Sequence, residues 1–355
     1  MKTRQLLKNY IFIDKDFLFQ NPKRNMQKRY NWIDQARGLS IFLVVYGHNF
    51  PANEPYIYSF HVPLFFFISG MFHPKKIDLS AIKRRAKMIL APYFIWASAL
   101  YLFWFFLGRN YGDSATMDAS PIKNLIGILY AQGGGEYMDW GIPLWFLPCI
   151  FLVYVLRALT QKLKNKYLQA FGVSVLVVLG FLWPIYFDFS LPWSLDVAMV
   201  ALGFYALGEL LKPYLVNLST TKTVLLLVCW LLINLNGFYL NPEKVDMYRS
   251  IYGNELMFFA SGLGGSLAVI LFFKIIPIFS FLSYLGRHTV VLLATHIRML
   301  TLIKIVAFFI FGVTVFNFSE LEKLILSVAQ VVMVIPVIWL VNKYAPILDG
   351  KVKKT

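Results

Sequence analysis

Apolar residues gather along the chain into ten runs separated by short polar stretches, near 36–51, 57–73, 88–108, 142–158, 168–187, 193–211, 223–240, 255–276, 289–315 and 323–342. About 20 apolar residues carry a helix across a bilayer, and in lipid a helix satisfies its own backbone hydrogen bonds. The pattern therefore predicts an all-α, polytopic integral membrane protein of about ten transmembrane helices. An even number of spans puts both termini on one side. The chain reads as a polar N-terminal segment 1–32, one transmembrane domain 33–344 and a basic tail 345–355, without repeats or an appended soluble domain.

Charge gives the sides. Of the 34 Lys and Arg residues, 26 fall before the first span, in alternate loops and after the last span, and 5 fall in the opposite loops. The remaining three, Arg37, Arg298 and Lys304, sit within or at the mouths of spans. Cytoplasmic loops carry the excess of positive charge, so both termini are expected in the cytoplasm. The same placement explains the net charge of +16 without nucleic acid, since the basic residues lie between apolar runs. A composition 58% hydrophobic and 15% charged agrees with a lipid solvent. Cys149 and Cys229 lie inside apolar runs and suggest neither a disulfide framework nor a metal site.

The first span is unusual. In NWIDQARGLSIFLVVYGHNFP the apolar stretch is short and is flanked by Asp34, Arg37 and His48. Ionisable residues at membrane depth are costly and face a bundle interior or a wet cavity. Eleven residues at about 100° each return nearly to the starting direction, so Arg37 and His48 share one helix face, separated along the axis by roughly 16 Å. Asp34, three residues before Arg37, lies on the same stripe and can pair with its guanidinium. Such a stripe suits a cytoplasmic phosphorylated donor held by Arg37 and a hydroxyl activated by His48 as general base. It equally suits a snorkelling arginine and a hydrogen-bonded core histidine.

His61 sits near the external end of the second span, at a depth similar to His48, and Pro63, Ser69 and Gly70 suggest a kinked, closely packed helix beside a cavity. Lys83, Arg84, Arg85 and Lys87 open the third span from the cytoplasmic side and read either as a diphosphate site or as ordinary positive-inside charge. Trp145 in PLWFLP reads as an interface anchor or a cavity residue, and His296 near Arg298 as a second intramembrane candidate. The external segment 109–141, with Gly133, Gly134, Gly135 and Glu136, reads as a ligand-binding loop or a connector.

WIDQARGLSIFLVVYGH followed by SFHVPLFFFISG resembles the opening of the acyltransferase family 3 membrane proteins, particularly the branch similar to fucose 4-O-acetylases. The family pattern is an arginine, ten intervening residues and a histidine, then a Phe-rich helix ending in Ser-Gly. Here these are Arg37, His48, and Phe65, Phe66, Phe67, Ser69 and Gly70. KRRAKMILAPY, PLWFLPCIF and LGRHTVVLLATH resemble later segments more loosely.

The resemblance implies O-acyl transfer, with acetyl most expected, from cytoplasmic acyl-CoA to a hydroxyl of a cell-envelope sugar or glycolipid. It makes His48 the essential histidine, acting as base or acyl carrier, with His61 beside it. It matches Arg37 to the residue associated with handling the donor, and the residue pattern read above adds Asp34, Arg84, Arg85 and Lys87 as candidate donor-binding residues. Ser69, Glu136, Trp145 and His296 are the candidate cavity or acceptor residues. Acetyl-CoA enters as substrate, and no tightly bound cofactor or metal is expected. The expected setting is the bacterial cytoplasmic membrane. A transporter or flippase for a lipid-linked or anionic solute would also place His and Arg inside its helices, and a sensor or scaffold fits the charge pattern but leaves the stripe unexplained.

Overall fold

A computed structural model describes residues 30–75, 77–110, 114, 119–313 and 316–351. The basic N-terminal segment up to residue 29 lies outside the described residues. Those described fold into helices α1 (Asn31–Gly47), α2 (Glu54–Tyr58), α3 (His61–Met71), α4 (Leu79–Phe106), α5 (Pro121–Tyr130), α6 (Gly135–Met138) and α7 (Phe146–Thr160). They continue through α8 (Lys166–Tyr186), α9 (Leu195–Asn217), α10 (Thr220–Leu240), α11 (Glu255–Ile275), α12 (Ser280–Arg287), α13 (Thr289–Phe311) and α14 (Glu320–Tyr344). The only extended pairing among the described residues is an isolated bridge between Asp246 and Ile251.

Helices α4, α7 to α11, α13 and α14 are long and apolar enough to cross a membrane, α7 and α9 each with a short 3-10 turn before it. The two remaining sequence-predicted spans are shorter. α1 has 17 residues and α3 has 11, and at 1.5 Å per residue α3 is only about 16 Å long. A helix so short survives at membrane depth when protein surrounds it, and Leu64, Phe66, Phe67 and Ile68 of α3 are completely buried. The hydropathy run at 88–108 begins nine residues after its helix does. Asp78 caps α4 by accepting a hydrogen bond from the Ala81 amide at 2.7 Å, so the basic residues 83–87 form the helix's first turns.

The inner helices meet backbone to backbone. A Cβ built on Gly70 of α3 would stand 1.9 Å from the Tyr205 carbonyl oxygen of α9, and one on Gly208 of α9 would stand 2.0 Å from that of Phe67. Small residues allow this approach in a membrane, where packing rather than the hydrophobic effect holds helices together. Both obstructing atoms are main chain, so neither can swing aside. Gly70→Ala should therefore lower stability by about 3 kcal/mol, the upper end of ordinary overpacking costs. Thermal unfolding in detergent checks this; an unshifted midpoint would mean that the two helices can separate without penalty. The same kind of contact docks α1 on α12, where Gly38 meets the Leu282 carbonyl and Gly286 meets that of Asp34.

Two segments differ from their sequence-based description. The stretch 109–141, expected as an external loop, contains two packed helices among its described residues, α5 and α6. Ser120 caps α5 and Pro121 begins it; the buried Asn124 binds the Glu136 carbonyl and the Asp139 amide, tying α5 to α6. Ile122, Leu125, Ile126 and Leu129 form an exposed apolar stripe on α5, the pattern of a helix lying in a membrane interface. The expected tail is also partly folded. Residues Pro346–Asp349 make a 3-10 turn, the Trp96 indole donates to the Leu348 carbonyl at 3.0 Å, and His288 Nδ1 donates to the buried Asp349 carboxylate at 2.6 Å.

Candidate active site

Helix α1 brings Ile41, Val44 and His48 to one cleft. Their spacing of three and four residues is one helical stripe, and Arg37 occupies the next turn of that stripe, four residues before Ile41. Opposite them stand Tyr58, His61, Val62 and Phe65 from α2 and α3. Trp145 and Phe146 at the start of α7, the turn Asp246–Tyr248, and Thr289, Val290 and Leu293 of α13 complete the wall. The space between these side chains, counted out into the open mouth, is about 790 Å³.

His48 follows the last residue of α1, partly exposed to the cleft. Its Nδ1 lies 2.7 Å from the Val44 carbonyl oxygen. A carbonyl can only accept, so Nδ1 carries the proton, and in the neutral ring Nε2 keeps a lone pair. His61 makes the same bond to the Ile57 carbonyl at 2.7 Å, and His296 to that of Leu292 at 2.8 Å. The His48 and His296 rings meet edge to face with centroids 5.0 Å apart. His296 is completely buried, and among the described residues its Nε2 has no hydrogen-bond partner. The cleft thus holds two imidazoles in its wall and a third directly behind His48.

The end of α1 is held by residues far away in sequence. Asn49 donates to Ser327 Oγ at 2.8 Å and accepts from Gln330 Nε2 at 3.0 Å, both on α14. Ser40 donates to the His61 carbonyl at 2.8 Å, fixing α1 against α3. Asn49 was not singled out by the sequence, although Ser327 and Gln330, three residues apart inside an apolar run, are a signal of a polar contact at depth. As a residue positioning His48, Asn49 predicts a particular kinetic signature. Asn49→Ala should lower kcat on the order of tenfold with little change in donor KM, since small misplacements of a reacting group are costly. Steady-state kinetics decides: a rise in donor KM at constant kcat would contradict a positioning role.

The other sequence-derived candidates are distributed. Trp145, read as an anchor or a cavity residue, is a cleft residue and 6% exposed. Ser69 lies two turns beyond His61 on α3, outside the cleft. Glu136 is paired with Lys123 at the surface, which holds it away from the cleft. Asp34 and Arg37 are half-buried on α1, both engaged in interactions. Arg84 and Lys87 are exposed, whereas Arg85 turns inward, its guanidinium 5.6 Å from the Tyr154 ring centroid. There it neighbours a polar cluster in which His73 contacts the Tyr205 hydroxyl at 2.8 Å and Arg157 pairs with Glu209 at 2.6 Å. Among the described residues, no group of three His, Cys, Asp or Glu side chains converges as a metal site.

A bundle with eight helices long and apolar enough to cross a membrane, and a histidine-lined cleft among its helices, defines a multi-pass integral membrane protein. The model of the acyltransferase domain family matches residues 30–343, nearly the whole bundle and both α1 signature residues. The chain belongs to this family and is a membrane acyltransferase. No curated protein and no solved structure matches it significantly.

Proposed function

We propose that the protein transfers an acetyl or other short acyl group from cytoplasmic acyl-CoA to a hydroxyl of a cell-envelope sugar or glycolipid in the bacterial cytoplasmic membrane. The observation that carries this reading is the stripe Arg37, Ile41, Val44, His48. Three of its members line the cleft, and its last member presents an Nε2 lone pair at the deep end of α1.

In the proposed reaction the His48 Nε2 accepts the proton of the acceptor hydroxyl as its oxygen attacks the thioester carbonyl carbon. The C–S bond of the thioester breaks, and the proton passes from His48 to the departing CoA thiolate, so that ester and free thiol are the products. Donation by Nδ1–H to Val44 holds the ring in the tautomer this step requires. His61, in the same tautomer across the cleft, lies within the reaction space, and His296 supports the His48 ring from behind. At the basic end of the bundle, Arg37 and Asp34 on α1 and Arg85 on α4, with Arg84 and Lys87 beside it, form the donor end, where guanidinium groups suit CoA phosphates.

Mass spectrometry of envelope glycans from cells with and without the gene tests this reading. The expected result is an ester-sized mass increment on a sugar, removed by mild base and present only with the gene. Identical glycan and glycolipid masses in the two strains would contradict it.

A further inference from the structure

The turn between α10 and α11 meets the histidine cleft without a role in the reaction described above. Asp246 and Ile251 exchange backbone hydrogen bonds at 2.8 and 3.1 Å, closing the turn on itself. Asn241 binds the Tyr252 carbonyl and the Asn254 amide across its base, while Ser250 donates to Asp196 at 2.7 Å. Val245, Met247 and Tyr252 are buried. Asp246 is consequently held in place by a fixed scaffold, and it lines the cleft together with His48 and His61.

Its carboxyl is poorly satisfied there. Among the described residues, Asp246 Oδ1 is buried and accepts no hydrogen bond, and the other oxygen has only a long 3.9 Å approach from the largely exposed Arg249. A buried polar atom without a partner calls for an explanation, and an absent ligand is one. Burial pushes the carboxyl up to about 6, with Arg249 and Lys244 pulling it back and Glu54 adding to the rise. At neutral pH it is therefore chiefly the carboxylate, which accepts hydrogen bonds and donates none. The neighbouring Glu54 is already occupied. It pairs with Lys244 at 2.8 Å, and that ammonium lies 4.7 Å from the Tyr58 ring centroid.

Tyr58, Trp145 and Tyr248 line the same cleft. Trp145 and Tyr248 converge on Gly133, where a Cβ would stand 3.1–3.2 Å from both side chains. Gly133 has φ of 85°, so the backbone passes there in a conformation that favours glycine. An unpartnered carboxylate repels a phosphate and gives an acyl chain nothing. A sugar matches both features, with hydroxyl donors along its edge and an apolar C–H face for the rings.

We infer that the outer mouth of the cleft is the acceptor subsite for a sugar, with Asp246 accepting hydrogen bonds from ring hydroxyls and Tyr58, Trp145 and Tyr248 packing against its C–H face. The inference rests on the acyl-transfer reading and extends it to residues that bind the acceptor. The turn belongs to the basic-poor set of loops, so this subsite opens away from the donor end.

The test uses the purified full-length protein in liposomes, with acetyl-CoA and a panel of methyl glycosides of glucose, galactose, mannose and fucose. Asp246→Asn preserves size and the backbone bridge. It should raise the KM for the glycoside about tenfold or more, because hydrogen bonds to a charged acceptor are stronger than neutral ones, while the KM for acetyl-CoA stays within about twofold. Tyr248→Leu removes a cleft ring without touching the carboxylate and should raise the same KM; it decides the matter if Asp246→Asn fails to fold. Unchanged glycoside KM in the folded variants, or equal rises for glycoside and acetyl-CoA, would overturn the subsite. If the wild-type protein hydrolyses acetyl-CoA in water but acylates none of the glycosides, the sugar subsite falls while acyl-CoA chemistry stands. Absence of both activities would overturn the acyl-CoA reading beneath it.

Discussion

His48→Ala should leave a folded, membrane-inserted protein whose acyl transfer is lower by 10²–10⁴-fold, the usual contribution of general acid–base assistance. The ring lies partly exposed in the cleft, beyond the last residue of α1. Its removal breaks one hydrogen bond, to a carbonyl four residues back. Asn49 and its partners on α14 still hold the helix end. Stability should therefore change far less than rate, and the two must be measured on the same preparation. His48→Gln, which retains polar bulk but cannot exchange a proton at neutral pH, should be equally inactive. Full activity in either folded variant would remove His48 from the mechanism.

Arg37→Lys should weaken acyl-CoA binding by about 1–3 kcal/mol, which is roughly 5- to 150-fold in Kd. The substitution keeps the charge and loses the planar fork that grips a phosphate through two parallel hydrogen bonds. Calorimetric titration with CoA and with a dephosphorylated CoA gives the comparison. A loss confined to intact CoA assigns Arg37 to the phosphate missing from the analogue, and equal losses assign it to the diphosphate. A lysine variant that binds CoA as tightly as wild type would show that Arg37 holds the helix at the interface and no donor phosphate.

The stripe that motivates both substitutions was legible because helical periodicity alone fixes which residues share a face. Eleven residues bring Arg37 and His48 to one direction whatever surrounds them, and Ile41 and Val44 fill the turns between. Span positions were legible for a related reason, since lipid imposes a minimum apolar length. Helix ends were not: α4 begins at the Asp78 cap, well before its apolar run, because hydropathy records the lipid-facing part of a helix and not its hydrogen-bonded start.

Trp145 shows a second limit. Aromatic residues at a span end anchor in the interface by default, and only the packing of α7 against the cleft makes this one a wall residue. Asp246 was one acid among eleven in the external loops, and nothing local distinguishes it from Glu136, which pairs with a surface lysine. Its distinction comes from the turn that brings it into one cleft with His48 and His61, across almost 200 residues of chain. Asn49 with Ser327 and Gln330 is a longer instance, joining the first helix to the last.

The most direct test of acyl transfer through this cleft follows a labelled acyl group. Purified protein in liposomes is given acetyl-CoA labelled in the acetyl carbon, together with envelope glycolipid extracted from cells lacking the gene. The account predicts label on the glycolipid as a base-labile ester, with free CoA thiol released in equal amount, and neither product with His48→Ala. Label that remains on CoA while the vesicles move glycolipid from one leaflet to the other would contradict it.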